Sequence, residues 1–298
     1  MYAKHKFIRV ILVLGGILLG VALLGFDQVN AQTQINAQTQ NELSFTSHRE
    51  VSYGDSDHPK QVLDLYVPKA SASQPRLLVF IHGGSWVQGS KSQMPEILIQ
   101  ELAGKQGFAV ASINYRLVKD GKDRYPAQLE DVQRAIEFLV EQADGYGYRG
   151  DELTLMGGSA GAHLAMLYTY GFDQKNRVKS VINLFGPTDL SDKEARPDGS
   201  EADQIITNFL GTSDHLAPIA VSASPIYYLH AESAVPTLTF HGQADSLVIV
   251  SQATKLHQRL DNLGIPSQLV LYPGEGHGFS MMVMMDVFQK IISWLQTH

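Results

Sequence analysis

Leu155-Met156-Gly157-Gly158-Ser159-Ala160-Gly161 is the stretch around which this chain is organised. An apolar, β-type run at 153–156 leads into it, and a run of small residues with helical character at 160–168 leads out. Strand, tight turn and helix is the setting in which G-x-S-x-G exposes a serine hydroxyl on a strained bend. The flanking glycines there let strand and helix approach without a Cβ clash. Taken alone the pattern is weak, because glycine–serine turns are common. Its weight comes from what surrounds it.

Working outward, the hydrophobic period switches repeatedly between two and 3.6 residues. Residues 44–53 and 61–67 read as alternating extended runs that start the sheet antiparallel. Residues 77–81 form a continuous apolar run, as suits a strand buried on both faces. Residues 94–105 read as a helix and 108–114 as a strand. The next helix spans 127–143, with Leu129, Val132, Ala135, Ile136 and Leu139 at helical spacing. Strand 153–156, helix 160–170, strands 180–185 and 236–240, helix 249–263, strand 267–272 and helix 281–296 complete the series. Eight strands alternating with helices predict an α/β domain whose mostly parallel sheet carries helices on both faces. That order places functional residues in loops at the carboxyl ends of the strands. Between strands 6 and 7, residues 187–230 break the rhythm, with Pro187, Pro197, Pro218 and Pro225 and a helical patch near 202–210. An insertion at that edge reads as a lid or a binding wall.

The chain has 298 residues, 44% of them hydrophobic, which suffices for one sizeable core. A formal net charge of -7 with no basic cluster argues against a nucleic-acid surface. There is no cysteine, so no disulfide frame, thiolate metal site or acylatable lipid-anchor Cys. Lys4, Lys6 and Arg9 precede an apolar run at 10–26, and Val29-Asn30-Ala31 offers a small residue before a cut. Residues 1–31 therefore read as a signal peptide for export to the periplasm or beyond; uncleaved, the run is near the shortest length that anchors a chain in a membrane. VNAQTQ at 29–34 repeats as INAQTQ at 35–40, and 32–43 reads as a polar linker to a domain over 44–298.

A serine hydroxyl is a poor nucleophile until a base takes its proton. The candidate base is His277, in the glycine-rich loop GEGHGF directly after the last strand. An imidazole base needs a carboxylate to orient it and stabilise its cation. Asp245, in HGQAD after the preceding strand, completes the order serine, acid, histidine; Asp189, in GPTD one strand earlier, is its rival. An oxyanion requires preorganised donors. These are assigned to the backbone N–H groups of Gly84 and Ser85 in His82-Gly83-Gly84-Ser85-Trp86, with Gly83 the weaker choice, and of Ala160 after the nucleophile. Trp86 is assigned to substrate contact. His82, His163 and His241 lack metal-ligand spacing and are read as hydrogen-bond partners, and no metal or organic cofactor is implied. Glu130 and Asp131 are read as surface or structural acids of helix 127–143, and Met281, Met282, Met284 and Met285 as packing residues of the last helix.

HGGSW at 82–86, NYRL at 114–117, YPAQLEDVQRAIEFL at 125–139, GGSAGAHLA at 157–165, GPTDL at 186–190, SPIYYL at 224–229, HGQADSLV at 241–248 and GEGHGF at 274–279 occur in that order. As a set they resemble the α/β-hydrolase esterases near the hormone-sensitive-lipase group. The closer likeness is to the HGGxW branch, which contains carboxylesterases, acetyl- and feruloyl-xylan esterases and arylformamidase-like enzymes. The likeness implies an α/β-hydrolase fold, the triad Ser159, Asp245 and His277, and an oxyanion loop at 82–86. Ala162-His163 departs from the Gly-His frequent in the family, which bears on helix packing. The implied activity is hydrolysis of short-chain or carbohydrate-linked carboxylic esters through an acyl-enzyme. A peptidase of the prolyl-oligopeptidase type shares the triad order, but no propeller domain precedes the hydrolase; a catalytically inactive binding protein is the reading from another class.

Overall fold

The continuous apolar run at 77–81 lies inside the sheet as expected: β3 (Leu77–Ile81) and its neighbour β4 (Ala109–Ile113), which includes the polar Ser112, are buried at every position. The computed structural model describes residues 44–54, 58–69 and 73–298. The leader expected at 1–31 and the linker at 32–43 lie outside the described residues. Ser44–His298 pack as one unit. Around β3 and β4 stand β1 (Phe45–Ser52), β2 (Val62–Pro68), β5 (Leu153–Gly158), β6 (Val178–Leu184), β7 (Thr237–Gly242) and β8 (Ser267–Tyr272). The order across the sheet is β1-β2-β4-β3-β5-β6-β7-β8. β1 pairs antiparallel with β2 and β2 with β4, whereas every pairing from β4 to β8 is parallel. The architecture is the eight-stranded, mostly parallel sheet of an α/β hydrolase, as the alternating periods and the resemblance implied.

The helices divide between the faces. α1 (Glu96–Glu101) and the last helix, α7 (Met281–Thr297), cover one face with Leu98, Ile99, Val287, Ile291 and Leu295 against Leu78, Met156 and Leu238. On the other, α2 (Ala127–Glu141), α3 (Ala160–Gly171) and α6 (Ser251–Asn262) enclose the larger core. The stripe anticipated on α2 is the buried one, with Val132, Ala135, Ile136 and Leu139 fully enclosed. Burial of each branched side chain contributes about 1.5–3 kcal/mol.

Differences from the sequence expectations are local and have visible causes. The helix expected at 94–105 is interrupted: Pro95 caps α1, and the chain then widens at 102–106 and ends on Gly107 at φ 75°. Met281, Met282 and Met285 do not pack; they are 79%, 85% and 43% exposed, and only Met284 turns inward. Of the two roles read for the acids of this helix, Asp131 takes the structural one. It is fully buried, accepts the Arg116 backbone N–H at 2.8 Å and Nε at 2.9 Å, and takes the Gln61 amide at 2.8 Å. Glu130 stays exposed and meets Arg116 Nη2 at 3.0 Å.

The segment 187–230 is built around an ion pair. It holds α4 (Glu201–Leu210), capped by the Ser200 hydroxyl, and the short α5 (Pro218–Ser222). Arg196, with no exposed surface, gives Nη2 and Nε to Asp203 Oδ1 at 2.7 and 3.1 Å, Nη1 to the Leu190 carbonyl, and Nη2 also to the Ser213 carbonyl. Burial pushes the Asp203 carboxyl up, but the Gly199 N–H and the Arg196 guanidinium outweigh it and hold it below the ordinary carboxylate value. Removing one partner leaves the other charge buried and unpaired. Arg196→Met is therefore expected to destabilise the fold by about 3 kcal/mol, read as a lowered urea midpoint; an unchanged midpoint would show that the pair does not hold the segment.

Candidate active site

The parallel strands end along one edge, and each ends in a loop that brings one component. At the end of β5 the backbone turns sharply: Ser159 sits at φ 53°, ψ -120°, a conformation rare for a residue with a Cβ. Its N–H donates to the Leu184 carbonyl at 2.8 Å, and its carbonyl accepts from His163 N at 3.0 Å as α3 begins. The glycines allow the bend. A Cβ on Gly161 would stand 2.0 Å from the Ile81 carbonyl oxygen, and one on Gly157 would stand 2.4 Å from the Gly161 carbonyl carbon.

The loop after β8 carries His277, and the loop after β7 carries Asp245. His277 Nε2 lies 2.8 Å from Ser159 Oγ, and His277 Nδ1 lies 2.7 Å from Asp245 Oδ2. With Nδ1–H donating to the carboxylate, Nε2 is left as the acceptor for the serine hydroxyl. The Asp245 side chain has no exposed surface, and its Oδ1 accepts the N–H groups of Leu247 and Val248 at 2.9 Å each. Asp189 is engaged elsewhere: Oδ1 accepts from Ser191 N and Oγ, and Oδ2 accepts from Tyr227 OH. The three side chains that meet are Ser159, His277 and Asp245.

The loop after β3 crosses beside the serine. Its conformation needs left-handed backbone at three consecutive residues, Gly84 (φ 117°), Ser85 (φ 55°) and Trp86 (φ 59°). The Gly84 carbonyl accepts from Val87 N and Gln88 N at 3.0 Å each. Among the described residues no acceptor takes the N–H of Gly83, Gly84, Ser85 or Ala160, so donors remain free beside the hydroxyl. His82 anchors the loop from below, its ring stacked on Tyr115 at 4.2 Å, while Tyr115 OH donates to the His82 carbonyl at 2.9 Å.

Trp86 is only 2% exposed and stacks on Phe209 of α4 at 4.0 Å, edge-on to His163 at 5.1 Å. His163 donates Nε2–H to the Ala223 carbonyl at 2.7 Å. That bond ties α3 to the 187–230 segment. Beside Trp86 and Ser159 lies a slot of about 30 Å³, closed by Asp189, Ile206 and Val248. A groove of about 480 Å³, which shares Ser85, Ser159, Ile205 and Leu247 with the slot, touches both Ser159 and His277.

One contributor gave no signal in the sequence. Phe185, the residue after β6, holds φ 46° and places its ring 4.9 Å from the His277 ring, edge to face, with Phe279 behind it at 5.2 Å. A bulky side chain in left-handed backbone marks a position that the surroundings enforce. Phe185 packs the imidazole toward the serine.

The family model for BD-FAE matches residues 63–260. The chain belongs to the BD-FAE family. It is 29% identical to Esterase LipC of Mycobacterium tuberculosis over 80% of this chain and 61% of that protein. It is also 25% identical to isoprenylcysteine alpha-carbonyl methylesterase ICME of Arabidopsis thaliana, over 77% and 56% of the two chains. The chain thus spans about 60% of the length of these curated relatives. Among solved structures it is similar to a truncated carbohydrate esterase from gut microbiota, with TM-score 0.72, 25% identity and coverage of 85% and 98%. An esterase of Thermogutta terrifontis with butyrate bound shares the fold at TM-score 0.67 and 22% identity, over 84% and 94% of the two chains.

Burial keeps the supporting histidines neutral. It pulls His82, His163 and His257 down to about 4 each, and it also lowers His241, whose Nε2–H donates to the Val248 carbonyl at 2.7 Å. In the unfolded chain the same imidazoles protonate near their ordinary value of about 6.5. Below that pH the unfolded state binds more protons, so stability is intact above about 6.5 and falls as pH drops toward 4, by up to about 1.4 kcal/mol per pH unit for each histidine. Thermal melts from pH 7.5 to 4.5 should show a steadily falling midpoint, and a flat profile would place these rings in contact with solvent.

Proposed function

We propose that this protein is an exported serine carboxylesterase acting on short-chain carboxylic esters through an acyl-enzyme. The observation that carries the proposal is the unbroken hydrogen-bonded chain from Ser159 Oγ to His277 to Asp245, at 2.8 and 2.7 Å. His277 takes the hydroxyl proton as Ser159 attacks the ester carbonyl, and Asp245 holds the imidazole and stabilises its cation. The negative oxygen that forms is met by N–H groups of Gly84, Ser85 and Ala160, with Gly83 in reserve. Collapse expels the alcohol with the proton from His277, and water then repeats the sequence to release the acid. Preference for short acids rests on the narrowness of the Trp86 slot beside the far larger groove. The 187–230 segment forms the wall of that slot and acts as the lid.

A second substrate class, carbohydrate-linked esters, is favoured by the likeness to the gut carbohydrate esterase at 25% identity. Export rests on the basic, apolar and small-residue order of 1–31, and retention of that segment would make it a membrane tether.

In the full chain, Ser159→Ala is expected to cut p-nitrophenyl acetate turnover by at least ~10⁴-fold and to abolish labelling by a fluorophosphonate probe. Near-parental turnover in that variant is the result that defeats the proposal. Asp245→Asn should lower kcat by roughly 10²–10⁴-fold, and a larger loss at Asp189→Asn would reassign the acid. Amino-terminal sequencing of protein recovered outside the cytoplasm should begin at Gln32; a product that starts at Met1 and sediments with membranes is anchored instead.

A further inference from the structure

The two spaces beside Ser159 differ in size, in lining and in which catalytic side chain they touch. The slot reaches Ser85, Trp86, Ser159 and Ala160 but not His277. The groove shares Ser85 and Ser159 with the slot and adds Gly83, Gly84 and His277. On the acyl-enzyme reading, this difference sorts the two halves of the ester. In acylation the Ser159 Oγ–carbon bond forms, the bond from that carbon to the alcohol oxygen breaks, and the proton on His277 Nε2 passes to that oxygen. The alcohol oxygen must therefore lie within hydrogen-bond reach of Nε2. Only the groove offers that position, so the alcohol leaves into the groove and the acid stays in the slot.

The groove is stratified by depth. Its buried floor is Leu98, Met156, Leu184 and Ile291, from both sheet and helices, and its walls are the rings of Phe185 and Phe288. Its polar side chains other than Ser85, Ser159 and His277 are Gln88, Gln93 and Glu201, all exposed. Hydroxyl groups entering the floor would lose water and find no partner, whereas alkyl or aryl groups would find continuous apolar contact. Met284 lines the groove beside Phe288 and Ile291 of the same helix. Flexible methionines adapt to alkyl groups of varied shape.

We propose that the groove binds the alcohol half of the ester and selects an apolar alkyl or aryl alcohol over a glycosyl one. The proposal rests on the esterase assignment of Ser159, His277 and Asp245, and it separates this chain's preferred substrates from sugar esters.

The test holds the acid constant as acetate and varies the alcohol, using the full chain with unactivated ethyl, hexyl and 2-phenylethyl acetates and an acetylated methyl xyloside. Each buried methylene is worth about fourfold in kcat/KM. Hexyl and 2-phenylethyl acetate should exceed both ethyl acetate and the xyloside by at least ~50-fold. Met284→Glu, at a half-buried site on the first turn of α7, should lower the hexyl-to-ethyl ratio of kcat/KM by at least ~5-fold. A series flat within about threefold, a xyloside that is the best substrate, or a ratio unmoved by Met284→Glu overturns the proposal. Labelling of Ser159 by a fluorophosphonate and turnover of p-nitrophenyl acetate separate the two failures. If both persist with a flat series, the alcohol assignment alone falls; if neither occurs, the esterase assignment falls with it.

Discussion

The backbone at Ser159 is the constraint on which the rest of the site depends. At φ 53° and ψ -120° it turns a strand into a helix within one residue. Such a conformation costs on the order of 1–3 kcal/mol and persists only where its surroundings leave no alternative. Here the N–H is held by Leu184 of the neighbouring strand, the carbonyl by the first turn of α3, and the absent side chains of Gly157 and Gly161 let β3, β5 and α3 close to contact. Because the turn is that tight, the hydroxyl stands proud of the sheet edge and the N–H of Ala160 has no helical partner. One strained residue thus sets out both a nucleophile and a donor.

The parallel sheet supplies the other groups. Strands that run the same way end on the same edge, so loops distant in sequence open side by side there. His277 is 118 positions from Ser159 and 32 from Asp245, yet the three side chains form one hydrogen-bonded line. Aromatic contacts keep that line in place: Phe185 and Phe279 back the imidazole, while Trp86 stacked on Phe209 locks the 82–86 loop against α4. Neutral buried histidines finish the support, with His82, His163 and His241 each spending one N–H on a carbonyl. Such rings rigidify their loops only while uncharged, which links the geometry of the site to the acid stability of the whole domain.

Much of this was legible in the chain because the chemistry is local. A glycine-bounded serine between a strand and a helix, a histidine in a glycine-rich loop after the last strand, and an unbroken apolar run at 77–81 are all short-range patterns. Other features had no local signature. Asp131 reads as one more polar residue on an amphipathic helix, and only its Arg116 and Gln61 partners, from other elements, explain why it is buried. Arg196 and Asp203 lie in a proline-broken stretch that gave no hint of an ion pair. Three of the four methionines that start α7 read as packing residues and are solvent-facing, because apolar composition does not say whether a neighbour exists to cover it. Phe185 has neither a motif nor a periodicity to mark it.

The sequence by itself determined the alternation of strands and helices, the position of the strained turn, and the types of group available for acid–base and nucleophilic work. These follow from backbone sterics and side-chain chemistry acting over a few residues. The tertiary structure alone decided which carboxylate reaches His277, with Asp189 turned to Ser191 and Tyr227 and Asp245 turned to the imidazole. It also decided that a narrow slot and a wide apolar groove both open onto the serine, and that only the groove reaches His277. Distances and empty volumes between remote residues arise from how whole elements pack, and packing sums many weak contacts that no single stretch of sequence contains.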